Sequence, residues 1–289
     1  MLHSKELISK IALLLFGWLL SIYCLKAQCN GSVINTFPYQ EDFENSNGNW
    51  TIGGTNADWI WGIPSKTLIN KAGSGLNCWI TGGLNQTSYN SLENSWILSP
   101  CFNFSSIKQP YISFKVFWET ENQYAGGGLQ YSLDGGNSWL DIGLATDAVD
   151  CYNTNWYNQS PMNGLKNTWS GTVIKTSATG CLLGNGIGAW VTAKHTMPYL
   201  AGQPNVQFRF TFESVTQCNN FDGFAIDAIY IGEIPINSVD FTYQCSKNNL
   251  VSFINTSTGC MNNFQWNWNW FVIEMPSTLN IIETVSLFQ

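Results

Sequence analysis

From residue 28 onward the chain alternates apolar and polar positions in short runs, and it almost never shows the spacing of an amphipathic helix. In "NVQFRFTFES", Val206, Phe208, Phe210 and Phe212 fall on one side while Gln207, Arg209 and Thr211 fall on the other. That period of two is the pattern of a strand with one buried face. "YISFKVFWE" (111–119), "GGLQYSLDGGNSWLDIG" (127–143) and "GFAIDAIYIG" (223–232) predict further strands. Asp134-Gly135-Gly136 interrupts the second of these with residues that tolerate a positive φ, so a hairpin turn is expected there. Near the end, "FQWNWNWF" places Phe264, Trp266, Trp268 and Trp270 on one face and Gln265, Asn267 and Asn269 on the other. This too predicts a half-buried strand.

Composition narrows the class. The chain of 289 residues is 44% hydrophobic, 15% aromatic and only 11% charged, with 26 glycines, which suits a turn-rich all-β protein. A net charge of -7 with 12 Lys and Arg leaves no basic surface to neutralise phosphates, so nucleic acid is excluded as a partner. Lys5 and Lys10, the apolar run "IALLLFGWLLSIYCL" and then Ala27 give the order of a secretory signal peptide. The run is shorter than the roughly 20 residues a membrane span requires, so no retained span is expected. Cys24 follows the bulky Tyr23 where a lipoprotein signal wants a small residue. Residues 1–27 are therefore read as a cleaved leader, and the rest as secreted or cell-surface protein.

Cleavage leaves eight of nine cysteines: Cys29, Cys78, Cys101, Cys151, Cys181, Cys218, Cys245 and Cys260. An even number in an exported chain points to disulfides, whereas zinc would need clustered Cys and His. Sequence does not fix the connectivity. Near neighbours are the simplest choice: Cys78 with Cys101, Cys151 with Cys181 and Cys245 with Cys260, leaving Cys29 with Cys218. A boundary is expected near "GEIPINSVDF", dividing the mature chain into 28–234, of ordinary sandwich size, and a short piece, 235–289.

The ordered series "FPYQEDFE" (37–44), "DWIWG" (58–62), "SWILSPCFNFS" (95–105), "ISFKVFWE" (112–119), "GGLQYSLDGGNSW" (127–139), "VQFRFTF" (206–212) and "GFAIDAIYIG" (223–232) resembles the MAM family of extracellular adhesion modules. The resemblance implies an antiparallel two-sheet jelly roll used for recognition rather than catalysis. It also implies a structural calcium ion held by Asp42, Glu44, Asp58 and Asp227, with Ala228 standing where the family often has a second Asp. Hard oxygen donors are what calcium requires. "VDFTYQ", "LVSFINTSTG" and "FQWNWNWF" resemble the opening strands of a PKD-type immunoglobulin-like domain. There the aromatic strand normally enters Phe-Gly-Asp-Gly. Here "VIEMPSTLN" follows Phe271, so 235–289 is expected to be an incomplete immunoglobulin-like β-sandwich.

No catalytic constellation emerges. The mature chain has one histidine, His195, and no serine stands in a Gly-x-Ser-x-Gly elbow, so His195 reads as structural or surface. Glu119 and Glu121, two apart at a strand end, read as solvated carboxylates. Most tryptophans belong in a core. The long polar and aromatic loop 150–169 is the exception, with Tyr152, Trp156, Tyr157 and Trp169 as ligand candidates. The sequence thus predicts a non-enzymatic sandwich binding an extracellular glycan or surface protein. The front of a larger secreted hydrolase or peptidase, or a surface-layer component, is the alternative.

Overall fold

The alternating runs become strands. A computed structural model of the chain describes residues 32–86, 88–161, 163, 166–174, 180–216, 218–236, 240–246, 250–257, 260, 263–268, 271–276 and 283–286. The leader and Cys29 lie outside the described residues. The elements are β1 (Val33–Ile34), β2 (Tyr39–Glu41), β3 (Thr51–Thr55), β4 (Ile60–Gly62), β5 (Cys78–Ile80), β6 (Asn94–Phe102), β7 (Pro110–Glu119), β8 (Gly126–Ser132), β9 (Leu140–Asp141), β10 (Val191–Thr196), β11 (Val206–Glu213), β12 (Gly223–Glu233), β13 (Phe241–Ser246), β14 (Leu250–Asn255), β15 (Asn263–Trp268), β16 (Phe271–Pro276) and β17 (Glu283–Ser286). Among the described residues there is no α-helix, only a 3₁₀ turn at Pro198–Leu200.

Two six-stranded sheets form an all-β sandwich. One runs β1-β6-β11-β8-β9 with β3 also on β6, and the other β10-β7-β12-β5-β4 with β2 also on β12. Pairing is antiparallel except for the short parallel β1–β6 contact. The facing residues are aromatic. Phe208, Phe210 and Phe212 of β11 are buried, with Phe210 against Phe114 of β7 at 4.8 Å between ring centres and against Trp50 at 5.7 Å. Burying each such ring contributes about 1.5–3 kcal/mol, which makes this layer the main source of stability.

The polar side of β11 departs from simple exposure. Gln207 is buried because its amide donates to Ser99 O at 3.1 Å, next to a register shift between Gln207 and Arg209. Arg209 lies between the rings of Trp96 and Trp139, at 4.8 and 4.3 Å, and its Nε donates to Gln130 Oε1 at 2.8 Å. The expected hairpin joins β8 to β9. Asp134 staples its turn by accepting from Ser138 N at 2.9 Å, Ser138 Oγ at 2.6 Å and Ser132 Oγ at 2.7 Å. These bonds hold its carboxyl down at about 2.

The strands after residue 240 form two small sheets, β13-β14-β17 and β15-β16. In the latter Trp266 pairs with Ile273 and Trp268 with Phe271, while Trp270 lies outside the described residues.

None of the simple neighbour pairings of cysteine occurs. Cys151 is joined to Cys260 across 109 positions, and Cys181 to Cys218 across 37. Cys78, expected opposite Cys101, is a buried free thiol on β5, whereas Cys101 is disulfide-bonded. The reason is topological: strand order, not nearness in sequence, decides which cysteines meet, and β5 carries Cys78 into the interior.

Candidate functional site

Between strands β9 and β10 the chain makes a long excursion, and its loops enclose a cleft of about 430 Å³ at one end of the sandwich. Aromatic side chains form the floor. Trp169 is 0% exposed, contradicting its nomination as a ligand contact. It packs between Phe114, Phe224, Trp156 and Tyr157, at 4.5–6.0 Å between ring centres, as a beam for the loop. Tyr157 is also buried. Its hydroxyl donates to Leu129 O at 2.9 Å and accepts from Leu129 N at 3.1 Å, so only its edge reaches the cleft. Trp156 is half-buried, its Nε1 donating to Ile142 O at 2.8 Å. Trp118, a cleft residue from β7, donates from Nε1 to Asn185 O at 3.3 Å. With these N–H and O–H groups fixed to backbone, the floor is rigid. Tyr152 does not line the cleft. It packs against Tyr111 at 6.2 Å.

The walls come from 144–149, 153–158 and 185–187. Asn158 ties them together, its amide donating to Ser170 O at 2.7 Å and Asn185 O at 2.8 Å. The rim is apolar: Val149 is 83% exposed, and Leu144 and Ile187 are also exposed. The one acid in the cleft, Asp147, is already engaged. Its Oδ2 accepts from Leu144 N at 2.7 Å and meets His195 Nε2 at 2.9 Å, while His195 Nδ1 faces Thr196 O at 2.6 Å. His195 is buried under Trp156, with ring centres 4.6 Å apart. Neither of its nitrogens is left to act as a base, in keeping with a structural histidine.

Glu119 and Glu121 are buried, not solvated. Glu119 accepts from Val173 N at 3.1 Å and Ile174 N at 3.2 Å, fixing the segment behind the cleft, and burial lifts its carboxyl to about 7. Glu121 accepts from Leu182 N at 3.4 Å, and burial raises it as well. Glu121, Cys181 and Cys218 have donor atoms within 4.8 Å of one another, but the two sulfurs are joined to each other and are not free to bind a metal.

The four acids expected to hold calcium do not meet around one point. Glu44 Oε1 accepts from Leu76 N and Asn77 N, both at 2.9 Å, and Asp227 Oδ2 from Ser74 N at 2.7 Å, so these two clasp the 73–77 loop. Asp42 Oδ1 accepts from Glu44 N at 3.1 Å. Asp58 serves other segments, taking Gly82 N at 2.7 Å and Asn90 N at 2.6 Å. A calcium loop turns carbonyl oxygens, together with its carboxylates, toward the ion. These loops turn N–H groups inward, which is the wrong polarity for a cation, and the residues do not fit a calcium centre. Asp227 stands at a bulge in β12, where Ala228 takes φ +48, and burial raises its carboxyl to about 6.

Comparison with known proteins adds a coarse likeness. No described protein family matches the chain. It is 30% identical over 110 residues to Bacillopeptidase F of Bacillus subtilis, a match spanning 38% of this chain and 7% of that protein. Its structural neighbours include adhesin and carbohydrate-binding β-sandwich domains. The K1 cleaved adhesin domain of Lys-gingipain from Porphyromonas gingivalis W83 is 14% identical with a TM-score of 0.38, covering 69% of this chain and all, 100%, of that one. The CBM22-1 xylan-binding domain of Paenibacillus barcinonensis Xyn10C is 11% identical with a TM-score of 0.34, covering 70% and 97%.

Proposed function

We propose that the chain is a secreted, non-catalytic recognition protein whose loop cleft binds an uncharged glycan. The observation that carries this reading is the make-up of the cleft: a fixed aromatic floor, amide-bearing walls, an apolar rim, and a single acid already hydrogen-bonded to His195. Its volume of about 430 Å³ lies within the roughly 300–1,000 Å³ typical of small-ligand sites. Flat apolar surface beside amides suits the hydrophobic faces and hydroxyls of sugar rings, and an acidic sugar would find no cation among the lining residues.

Titration calorimetry of the protein with neutral oligosaccharides tests this, alongside Val149→Asp and Ile187→Asp. Both positions are exposed, so folding is expected to survive, and the new charges should weaken binding at least tenfold. Undiminished affinity in both variants, or no binding to any neutral oligosaccharide at millimolar concentration, would sink the idea.

The match to Bacillopeptidase F favours a second reading, in which this fold is a non-catalytic part of a larger secreted peptidase. In that case the cleft would bring the enzyme to its substrate. A peptidase domain encoded in the same reading frame would support it.

A further inference from the structure

Carbonyl oxygens do converge at one place near these acids, and the position is filled. Lys66 is 6% exposed, and its Nζ donates to Thr81 O and to Asp222 O, each at 2.6 Å. The chain is built around this contact. The Asp222 carboxylate accepts from Leu68 N at 2.5 Å and Ile69 N at 2.7 Å, closing the turn that carries Lys66. Lys66 N donates to Ile69 O at 3.2 Å within the same turn. Thr81 is held in turn to Phe224, its N donating to Phe224 O at 3.0 Å and its Oγ1 accepting from Phe224 N at 2.9 Å. Gly82, at φ +70, leaves the space: a Cβ there would stand 2.9 Å from Lys66 Nζ and 2.7 Å from Ser88 O.

Acidic side chains stand near the ammonium without touching it. Asp222 and Asp58 act on it from nearby, as does Glu93. Glu93 is 1% exposed. Its Oε1 accepts from Ser95 Oγ and from Asp58 N, while its Oε2 has no partner. Two buried carbonyls beside the acids Asp222 and Asp58 are the surroundings of a cation.

We propose that the Lys66 ammonium is the structural cation of this sandwich, a tethered charge that joins the end of β5 to the start of β12 and fills the place a metal ion would need. Burial pulls its pKa down to about 8, while Asp222 and Asp58 pull the other way, so at neutral pH it remains charged. The sandwich therefore needs no calcium.

Differential scanning calorimetry of the whole protein tests this with calcium chloride and with EGTA. The unaltered protein is expected to melt at the same temperature in both. Lys66→Met, which keeps the stem but leaves both carbonyls unpaired, should melt lower by several degrees, while Lys66→Arg should keep most of the difference. A calcium-dependent rise in the melting temperature of the unaltered protein overturns the proposal, and so does a Lys66→Met variant that melts like the parent. If Lys66→Met does not fold, the calcium comparison on the unaltered protein decides alone.

Discussion

Arg209 shows how one side chain can hold an outer face. Its guanidinium is flanked by Trp96 and Trp139, and its Nε is fixed by Gln130, which itself donates to Asp141 Oδ1 at 2.8 Å. Each ring contact with a partly exposed cation is worth about 0.5–1 kcal/mol. Arg209→Leu should therefore destabilise by about 1–2 kcal/mol, read as a lower urea midpoint with unchanged slope. A midpoint within error of the parent would show that the stacked cation adds nothing. The arginine's outward position was legible from the alternation in "NVQFRFTF", since period two assigns faces directly. Its two tryptophan neighbours were not, because Trp96 and Trp139 come from β6 and the 133–139 turn, and only the sheet order brings them together. The same limit explains Lys66, a lone lysine in "IPSKTLIN" with no periodic context, and Trp169, which as one aromatic in a polar loop looked like a ligand platform.

Among the elements, the 144–158 wall is the one whose position depends on side chains more than on a ladder. Besides the Asp147–His195 pair, Thr154 exchanges backbone hydrogen bonds with Lys194 at 3.0 and 3.2 Å, and Asn153 Oδ1 accepts from Thr196 N at 3.1 Å. These contacts hinge the wall on β10. Replacing His195 with Phe keeps the ring under Trp156 but removes the partner of Asp147. Amide exchange across 144–154 should accelerate at least tenfold while the amides of β11 keep their protection. Equal protection in both regions would mean the pair does not hold the wall. The existence of strands β6, β7, β8, β11 and β12 was readable from apolar alternation. The wall was visible only as a long polar stretch, because loop geometry comes from contacts between segments rather than from local pattern.

At the scale of the whole molecule, buried carboxyls set the response to pH. Burial raises Glu119 to about 7 and Asp227 to about 6 and, together with Asp58, raises Glu93 as well. Near pH 5 the folded protein holds protons that the unfolded chain, with ordinary carboxyls near 4, has released, and this favours folding. As pH rises through 6 and 7 the folded groups lose those protons and the advantage goes. Asp134, held low by its turn, acts only in strong acid. The melting temperature should thus be higher near pH 5 than near pH 7.5, and calorimetry giving the reverse order would refute this account. The all-β class was plain from composition and periodicity and the two-sheet sandwich came with the resemblance, whereas the direction of the N–H groups around Asp42, Glu44, Asp58 and Asp227 was not legible, since polarity around a carboxylate depends on how loops turn.

The free thiol on β5 has a further consequence at this scale. Cys78 is sealed in the interior, and burial raises its pKa well above that of an ordinary thiol, so while the sheets are closed it is neither exposed nor nucleophilic. A covalent label found on Cys78 therefore records that a given molecule has at some time opened its sandwich, and the residue keeps an indelible log of past unfolding in each chain.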